Sequence, residues 1–350
     1  MKTEFIALSG VTEENDKLNI SRAAACIRGG GLVVFPTETV YGLGGDGTDW
    51  QAAEKIYAAK GRPADNPLII HIADPADAER YAETTPLYYR LAEAFMPGPL
   101  TVVLTAKPTV PKTVTAGLPT VAIRCPAHPI ANALIAAAGV PIAAPSANLS
   151  GSPSPTSAPH VLEDMDGRVD MILDGGEAMI GLESTIVKPE ADGSLTLLRP
   201  GAITPDDLRA IAPQVNIADA VLGMLKKDQP VLSPGMKYKH YAPKANLYLI
   251  DDSQIDFVQF TKEKHLIEKC AIMCYDEEKN AYGSEILLPV GKKDDIKEQT
   301  KRLFNILRYA DDIEVDTIYA HLPSKDGAAL AIYNRMIRAC AHRIIGGKNG

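Results

Sequence analysis

"FPTETVYGLGGDG", residues 35–47, decides how this chain is read. Its glycines at 42, 44 and 47 spell G-x-G-x-x-G, the pattern of a dinucleotide-binding turn. In that turn the first glycine follows a strand directly, and the pyrophosphate rests on the N-terminus of the next helix. Here the apolar strand "GLVVF" (31–35) runs into Pro36, and residues 36–41 intervene before Gly42. Proline fits poorly inside a central strand. The acid that should end the following strand is also missing, since the nearest candidate, Asp74, comes too late. The glycines therefore read as a turn between a strand and a helix over 49–60. The threonines of "PTET" read as hydroxyls that a proline-initiated turn could hold against a small polar ligand.

Outward from this stretch, short apolar runs alternate with amphipathic segments. Strands are expected at 67–72, 100–106 and 120–125, and at 141–148, which begins as a strand and turns into a loop. "MILDGG", "STIVKPE" and "SLTLLRPG" continue the sheet. Helices are expected at 49–60, closed by Gly61, at 86–95, stopped by "PGP", and at 129–139, ending in Gly139. Thr204 is an N-cap, with Pro205 at the first helical position. Such a mixture predicts an α/β fold with a twisted sheet of mixed direction over residues 1–213. Residues 214–244, ending in "SPGMKYKHYAPKA", read as a linker long enough to be functional. From 245 to 350 a new strand–helix alternation predicts a smaller Rossmann-like domain without a glycine-rich phosphate loop. On its long helix Ile296, Leu303, Phe304 and Leu307 share one face.

Composition excludes several classes. The 350 residues are 46% hydrophobic and 23% charged, with a net charge of −8. That acidity argues against a protein whose main task is to coat nucleic acid. It leaves room for a small anion held by a few focused cations. Five cysteines, at 26, 125, 270, 274 and 340, are odd in number and scattered, which argues against a disulfide framework. Cys270 and Cys274 read as buried strand residues, and no histidines cluster with them to suggest zinc. The N-terminus lacks the pattern of a signal peptide and no apolar run reaches membrane-span length, so a cytoplasmic setting is expected.

Cations and hydroxyls recur beside the strands. Lys60 ends a helix, where the dipole favours a positive charge. Arg62 and Asn66 stand in a loop stiffened by Pro63 and Pro67. His71 falls inside an apolar strand, where a lone histidine is usually structural. Arg124 is embedded in a strand fit for burial and needs either a carboxylate or an anionic ligand. Ser146 and Asn148 follow a buried strand in "APSANLSG", and Ser184 and Arg199 flank strands in the same manner. The chain carries no P-loop, no G-x-S-x-G elbow and no H-E-x-x-H. That inventory suits chemistry done by positioning and charge neutralisation, as in nucleotidyl transfer.

The ordered set "PTETVYGLG", "KGRPADNPLIIH", "PGPLT", "APSANLSG", "ESTIV" and "RPGAIT" resembles the threonylcarbamoyl-AMP synthases of YrdC-like fold. "SPGMKYKHYAP" followed by an α/β domain resembles their long two-domain form, and the likeness covers roughly residues 15–350. The resemblance implies synthesis of L-threonylcarbamoyladenylate and pyrophosphate from L-threonine, bicarbonate or CO2, and ATP. The product serves t6A formation in tRNAs that read ANN codons, by way of a separate tRNA threonylcarbamoyl transferase. Mg2+ would accompany ATP and pyrophosphate without a dedicated protein site. By the same resemblance Thr39, His71, Arg124, Ala144, Ser146 and Ser184 would lie at the threonine. Arg62, Asn66, Thr120, Ser146, Ser154, Arg199 and Tyr238 would lie around the nucleotide. Lys60, Arg62, Ser146 and Asn148 are the expected catalytic group, and the linker would fold over the site through Tyr238. Two positions depart from the pattern: Met96 replaces a common Trp, and Gly47 a common Ala. The alternatives are an RNA-binding or translation-associated YrdC-like module, a hydrogenase-maturation carbamoyl transferase and a dehydrogenase. Net acidity, the absence of zinc-finger cysteines and the poor dinucleotide turn count against them in that order.

Overall fold

The structure is a computed structural model that describes residues 2–223 and 241–346. Its contacts divide the chain into two units, one built mainly from residues before 224 and the other mainly from residues 241–346.

The first unit contains strands β1 (Glu4–Ala7), β2 (Val33–Phe35), β3 (Gly42–Asp46), β4 (Ile69–His71), β5 (Ala82–Glu83) and β6 (Leu100–Ala106). It continues with β7 (Thr120–Arg124), β8 (Ile142–Ala144), β9 (Met171–Asp174), β10 (Thr185–Pro189), β11 (Leu195–Arg199) and β12 (Val215–Ile217). Among the described residues these form one sheet in the order β1-β9-β2-β3-β8-β4-β7-β6-β10-β11-β12, with β5 paired to β6. Parallel and antiparallel pairs alternate irregularly, as the sequence predicts. Its helices are α1 (Glu14–Arg28), α2 (Trp50–Lys60), α3 (Pro86–Phe95), α4 (Lys112–Thr115), α5 (Pro129–Ala138), α6 (Ala158–Met165), α7 (Pro205–Arg209) and α8 (Asp219–Leu222).

Local chemistry explains where the helices stop and start. α2 begins at Asp49, whose side chain accepts from the Gln51 N–H, and ends at Gly61 in the left-handed region. α7 starts with a full capping box between Thr204 and Asp207. One face of the sheet beside β1, β9 and β2 is sealed by α1 and α5, through Ile20, Ile27, Ile130 and Leu134. α2 lies against the opposite face.

Two expectations are corrected here. The glycines of "GLGGDG" are not a turn: residues 42–46 form β3, paired with β2 on one side and β8 on the other. Glycine is required because neighbours close on the backbone. A Cβ on Gly44 would stand 2.6 Å from Ile142 Cγ2 and 2.7 Å from Phe35 Cε1, and one on Gly45 3.2 Å from Ala52 Cβ of α2. Likewise, the expected linker begins too early, since residues 215–217 are β12, parallel to β11 in the first sheet. Residues 224–240, including Tyr238, lie outside the described residues.

The second unit has β13 (Asn246–Ile250), β14 (Cys270–Met273), β15 (Ile286–Leu287), β16 (Thr317–His321) and β17 (Ile344–Ile345). All pair in parallel, in the order β15-β14-β16-β13-β17. Helices α9 (Phe257–His265), α10 (Ile296–Asp312) and α11 (Ala329–Ala339) complete the Rossmann-like layering. Cys270 and Cys274 are buried, unoxidised strand-end residues packed with Ile272 and Tyr319. No helix of the described residues is long and apolar enough to cross a membrane.

Candidate active site

Side chains alternate across a strand, so residues paired between strands share a face. His71 of β4 is paired with Arg124 of β7, and Arg124 with Thr101 of β6. Two and four residues back along β7, Ala122 and Thr120 point the same way, and Ala144 of β8 is paired with Ile69 two residues before His71. Thr120, Arg124, His71 and Ala144, far apart in sequence, thus belong to one face of the sheet.

Charge on this face is tightly controlled. Arg124 Nη2 donates to Glu38 Oε1 at 2.7 Å, and both side chains are buried. The backbone N–H of Ala127 donates to the other Glu38 oxygen. Burial opposes ionisation of Glu38, but the guanidinium and its hydrogen bond prevail and lower its pKa. Arg124 Nε has no hydrogen-bond partner among the described residues. Beside it, His71 is held neutral: burial, then the charge of Arg124, push its pKa down to about 3. Its Nδ1 lies 3.2 Å from the Ile69 carbonyl and 3.3 Å from that of Ile142. Those acceptors assign the proton to Nδ1 and leave Nε2 as an acceptor.

The 36–41 loop carries Glu38 to Arg124 and buries Thr39 beside it. Thr37 Oγ1 donates to the Val40 carbonyl and lies 2.9 Å from Thr39 Oγ1. This loop is zipped to the one after β8: the Ala147 N–H donates to the Tyr41 carbonyl and the Leu43 N–H to the Pro145 carbonyl. Ser146 is thereby fixed near the "PTET" segment, opposite Gly42.

Lys60 braces the same loop from the end of α2. Its buried ammonium donates to the Ser146 carbonyl at 2.6 Å and to the Asn148 carbonyl. Ser146 Oγ donates to Asn148 Oδ1. Arg62 folds back on its own loop, donating to the carbonyls of Asn66 and Pro67. Asn66 is 1% exposed, yet neither carboxamide atom has a hydrogen-bond partner among the described residues.

Ser184 and Arg199 meet at the far end of the row: Arg199 donates to the Ser184 carbonyl at 3.0 Å and to its Oγ at 3.1 Å. Ser184 Oγ in turn lies 2.7 Å from Thr101 Oγ1, beside Arg124. Ser154 is tied to this end as well, donating to Glu183. By hydrogen bonds, then, Arg199 joins Ser184 directly and Ser154 joins its neighbour Glu183.

Every expected site residue that is described belongs to the first unit. Sequence reasoning missed Glu38, Thr101 and Glu183. Glu38 had a signal, as an acid enclosed by two hydroxyls in a proline-led loop, and Arg124 called for such a partner. Thr101 and Glu183 had none, because the role of Thr101 comes from strand register and that of Glu183 from a contact with the distant Ser154. Among the described residues no three metal-ligating side chains converge.

A strongly mixed sheet with buried guanidinium groups at Arg124 and Arg199, a neutral histidine and a rim of hydroxyls defines the YrdC-like α/β class. Residues 25–201 match the Sua5/YciO/YrdC family, described as "Telomere recombination", and residues 203–341 match "Threonylcarbamoyl-AMP synthase, C-terminal domain". The threonylcarbamoyl-AMP synthase of Bacillus subtilis is 41% identical over 99% of this chain and 100% of its own. That of Pyrococcus abyssi is 42% identical over 96% of this chain and 98% of its own. The crystal structure of P. abyssi Sua5 complexed with L-threonine superposes with a TM-score of 0.87 at 40% identity, covering 98% of this chain and 99% of the other. The chain belongs to the Sua5 family of threonylcarbamoyl-AMP synthases, in its two-domain form.

Proposed function

We propose that this protein is a nucleotidyltransferase that makes L-threonylcarbamoyladenylate and pyrophosphate from L-threonine, bicarbonate or CO2, and ATP. The observation that carries the reading is Arg124: a buried guanidinium, fixed on one side by Glu38, with its Nε unpartnered among the described residues, beside a neutral histidine. Such a group suits the carboxylate of a small amino acid. The whole-length likeness to synthases of that name supports the same substrate set.

In this reading threonine binds by its carboxylate at Arg124, with Thr39, His71, Ala144 and Ser184 around the rest of the molecule. Neutral His71 adds no positive charge that would disfavour the amine's attack. The uncharged amine attacks carbon of CO2, releasing a proton to solvent, or of bicarbonate with loss of water, and gives a carbamate. A carbamate oxygen then attacks the α-phosphorus of ATP. The new P–O bond forms as the bond to the β-phosphate bridging oxygen breaks, and pyrophosphate leaves. No covalent enzyme intermediate is needed.

Arg62, Asn66, Thr120 and Ser146 form the nucleotide side of the site, with Ser154, Arg199 and Tyr238 assigned to it by resemblance. Lys60 acts as a positioning residue, since its ammonium is engaged by the carbonyls around Ser146 and Asn148. Magnesium enters on ATP and leaves on pyrophosphate as part of the substrate, offsetting charge on the leaving group. The product passes, in the cytoplasm, to a separate transferase that modifies position 37 of tRNAs reading ANN codons. The test is pyrophosphate release by the purified chain, which must require threonine and bicarbonate together.

A further inference from the structure

The second unit has a cavity of its own, about 290 Å3 in volume. It opens where β14 and β16, neighbours in the sheet, reach their carboxyl ends. The chain leaves β14 for β15 on one side and leaves β16 for β17 on the other. Parallel sheets open a crevice at such a reversal, and ligands of α/β proteins bind there. The volume is near the lower bound of ligand cavities, which run ~300–1,000 Å3. It suits a molecule smaller than a nucleotide.

The mouth is held rigid by His321, at the end of β16. Its Nδ1 lies 2.7 Å from Asp252 Oδ2 and its Nε2 2.9 Å from Glu278 Oε2. The imidazole also stacks on Phe257 and Tyr275, with ring centroids 3.6 Å and 4.5 Å away. Glu278 accepts in addition from the Tyr275 N–H. One side chain thereby ties the segments that follow β13, β14 and β16 into a single rim. Preorganisation of this kind lowers the cost of binding.

Two kinds of chemistry line the cavity. Met273, Leu303, Ile332 and Met336 supply an apolar wall. Lys293 and Asp294 are neighbours in the loop just before α10, and Asp252 offers the oxygen that His321 does not use. We propose that this cavity binds a free apolar α-amino acid as its zwitterion. The side chain lies against the methionines, the carboxylate faces Lys293, and the ammonium faces Asp252 and Asp294. A phosphate-bearing ligand would meet two carboxylates with no glycine-rich turn to receive it. A simple hydrocarbon would leave opposite charges at the mouth unused.

The full-length protein, labelled with 13C at its methionine methyls, tests this by NMR with L-leucine and L-phenylalanine as probes. Saturable shifts are expected at Met273 and Met336, each assigned by a Met→Leu substitution, at millimolar concentrations of one or both probes. Lys293→Glu, at an exposed position, should weaken the response roughly tenfold or more, about the loss of one charged contact. Ala329→Phe, which fills the cavity, should abolish it. The proposal is overturned if neither probe moves Met273 or Met336, if Lys293→Glu responds like the wild type, or if AMP shifts them and the amino acids do not.

Discussion

Arg124 Nη2 and Glu38 Oε1 lie 2.7 Å apart, with both side chains almost wholly buried. The pair joins a sheet strand to the loop that carries Thr39, so it holds the amino-acid side of the proposed site together. Breaking one member leaves an uncompensated charge in the interior. Arg124→Ala and Glu38→Gln should each cost roughly 3–5 kcal/mol in urea unfolding. The double variant Glu38→Leu/Arg124→Met should recover most of that loss, because two buried charges vanish together. Purely additive losses would show that the two groups are not coupled.

Asn66 should behave in the opposite way. An unpartnered buried carboxamide costs about 1–3 kcal/mol, so Asn66→Leu is expected to be at least as stable as the wild type. Nucleotide affinity should fall tenfold or more, roughly 1.4 kcal/mol. Calorimetric titration with a non-hydrolysable ATP analogue, alongside unfolding curves, measures both. Retained affinity with lost stability would remove Asn66 from the nucleotide side.

These two predictions reflect what the sequence can and cannot reveal. Helices α2 and α5 were legible because caps are local: Gly61 and Gly139 take left-handed conformations that their neighbours could not adopt cheaply. Lys60, Arg62 and Arg124 were legible as cations set in unusual places. β3 was not, since its glycines answer to Phe35, Ile142 and Ala52, and local pattern cannot report a close approach from elsewhere. The row His71–Arg124–Thr101 was hidden for the same reason, as register between strands is a non-local fact. β12 was hidden because it is only three residues long and partly exposed, too short for a pattern to show.

His71 gives a pH signature. Its folded pKa is lowered to about 3, by burial first and then by Arg124, against an unfolded value near 6.5. Between these values the unfolded chain binds a proton that the folded chain refuses, so stability present above pH ~6.5 is lost as the pH falls. Unfolding free energies at pH 7 and pH ~4.5 should differ less in His71→Gln than in the wild type. An unchanged difference would show that His71 is not buried as a neutral ring.

His321 should show the reverse sign. Burial alone lowers its pKa, but hydrogen bonds to Asp252 and Glu278, and their charges, outweigh burial and raise it. Its stabilisation is complete below the unfolded value of ~6.5 and is lost as the pH rises through the folded one. Thermal unfolding of the second unit, followed by tyrosine circular dichroism between pH 6 and 9, should lose stability on the alkaline side. His321→Gln should flatten that decline, and an unaltered decline would contradict the assigned ion pairs.

The central claim is most directly tested by pyrophosphate release from ATP by the purified chain, with each substrate omitted in turn. The account predicts release only when L-threonine, bicarbonate and MgATP are all present, with threonylcarbamoyl-AMP recovered as the nucleotide product. It also predicts that Arg124→Ala reduces release by at least about a hundredfold at low threonine, the loss of one charge-assisted contact in a buried site. Pyrophosphate release that proceeds equally well without threonine would contradict it.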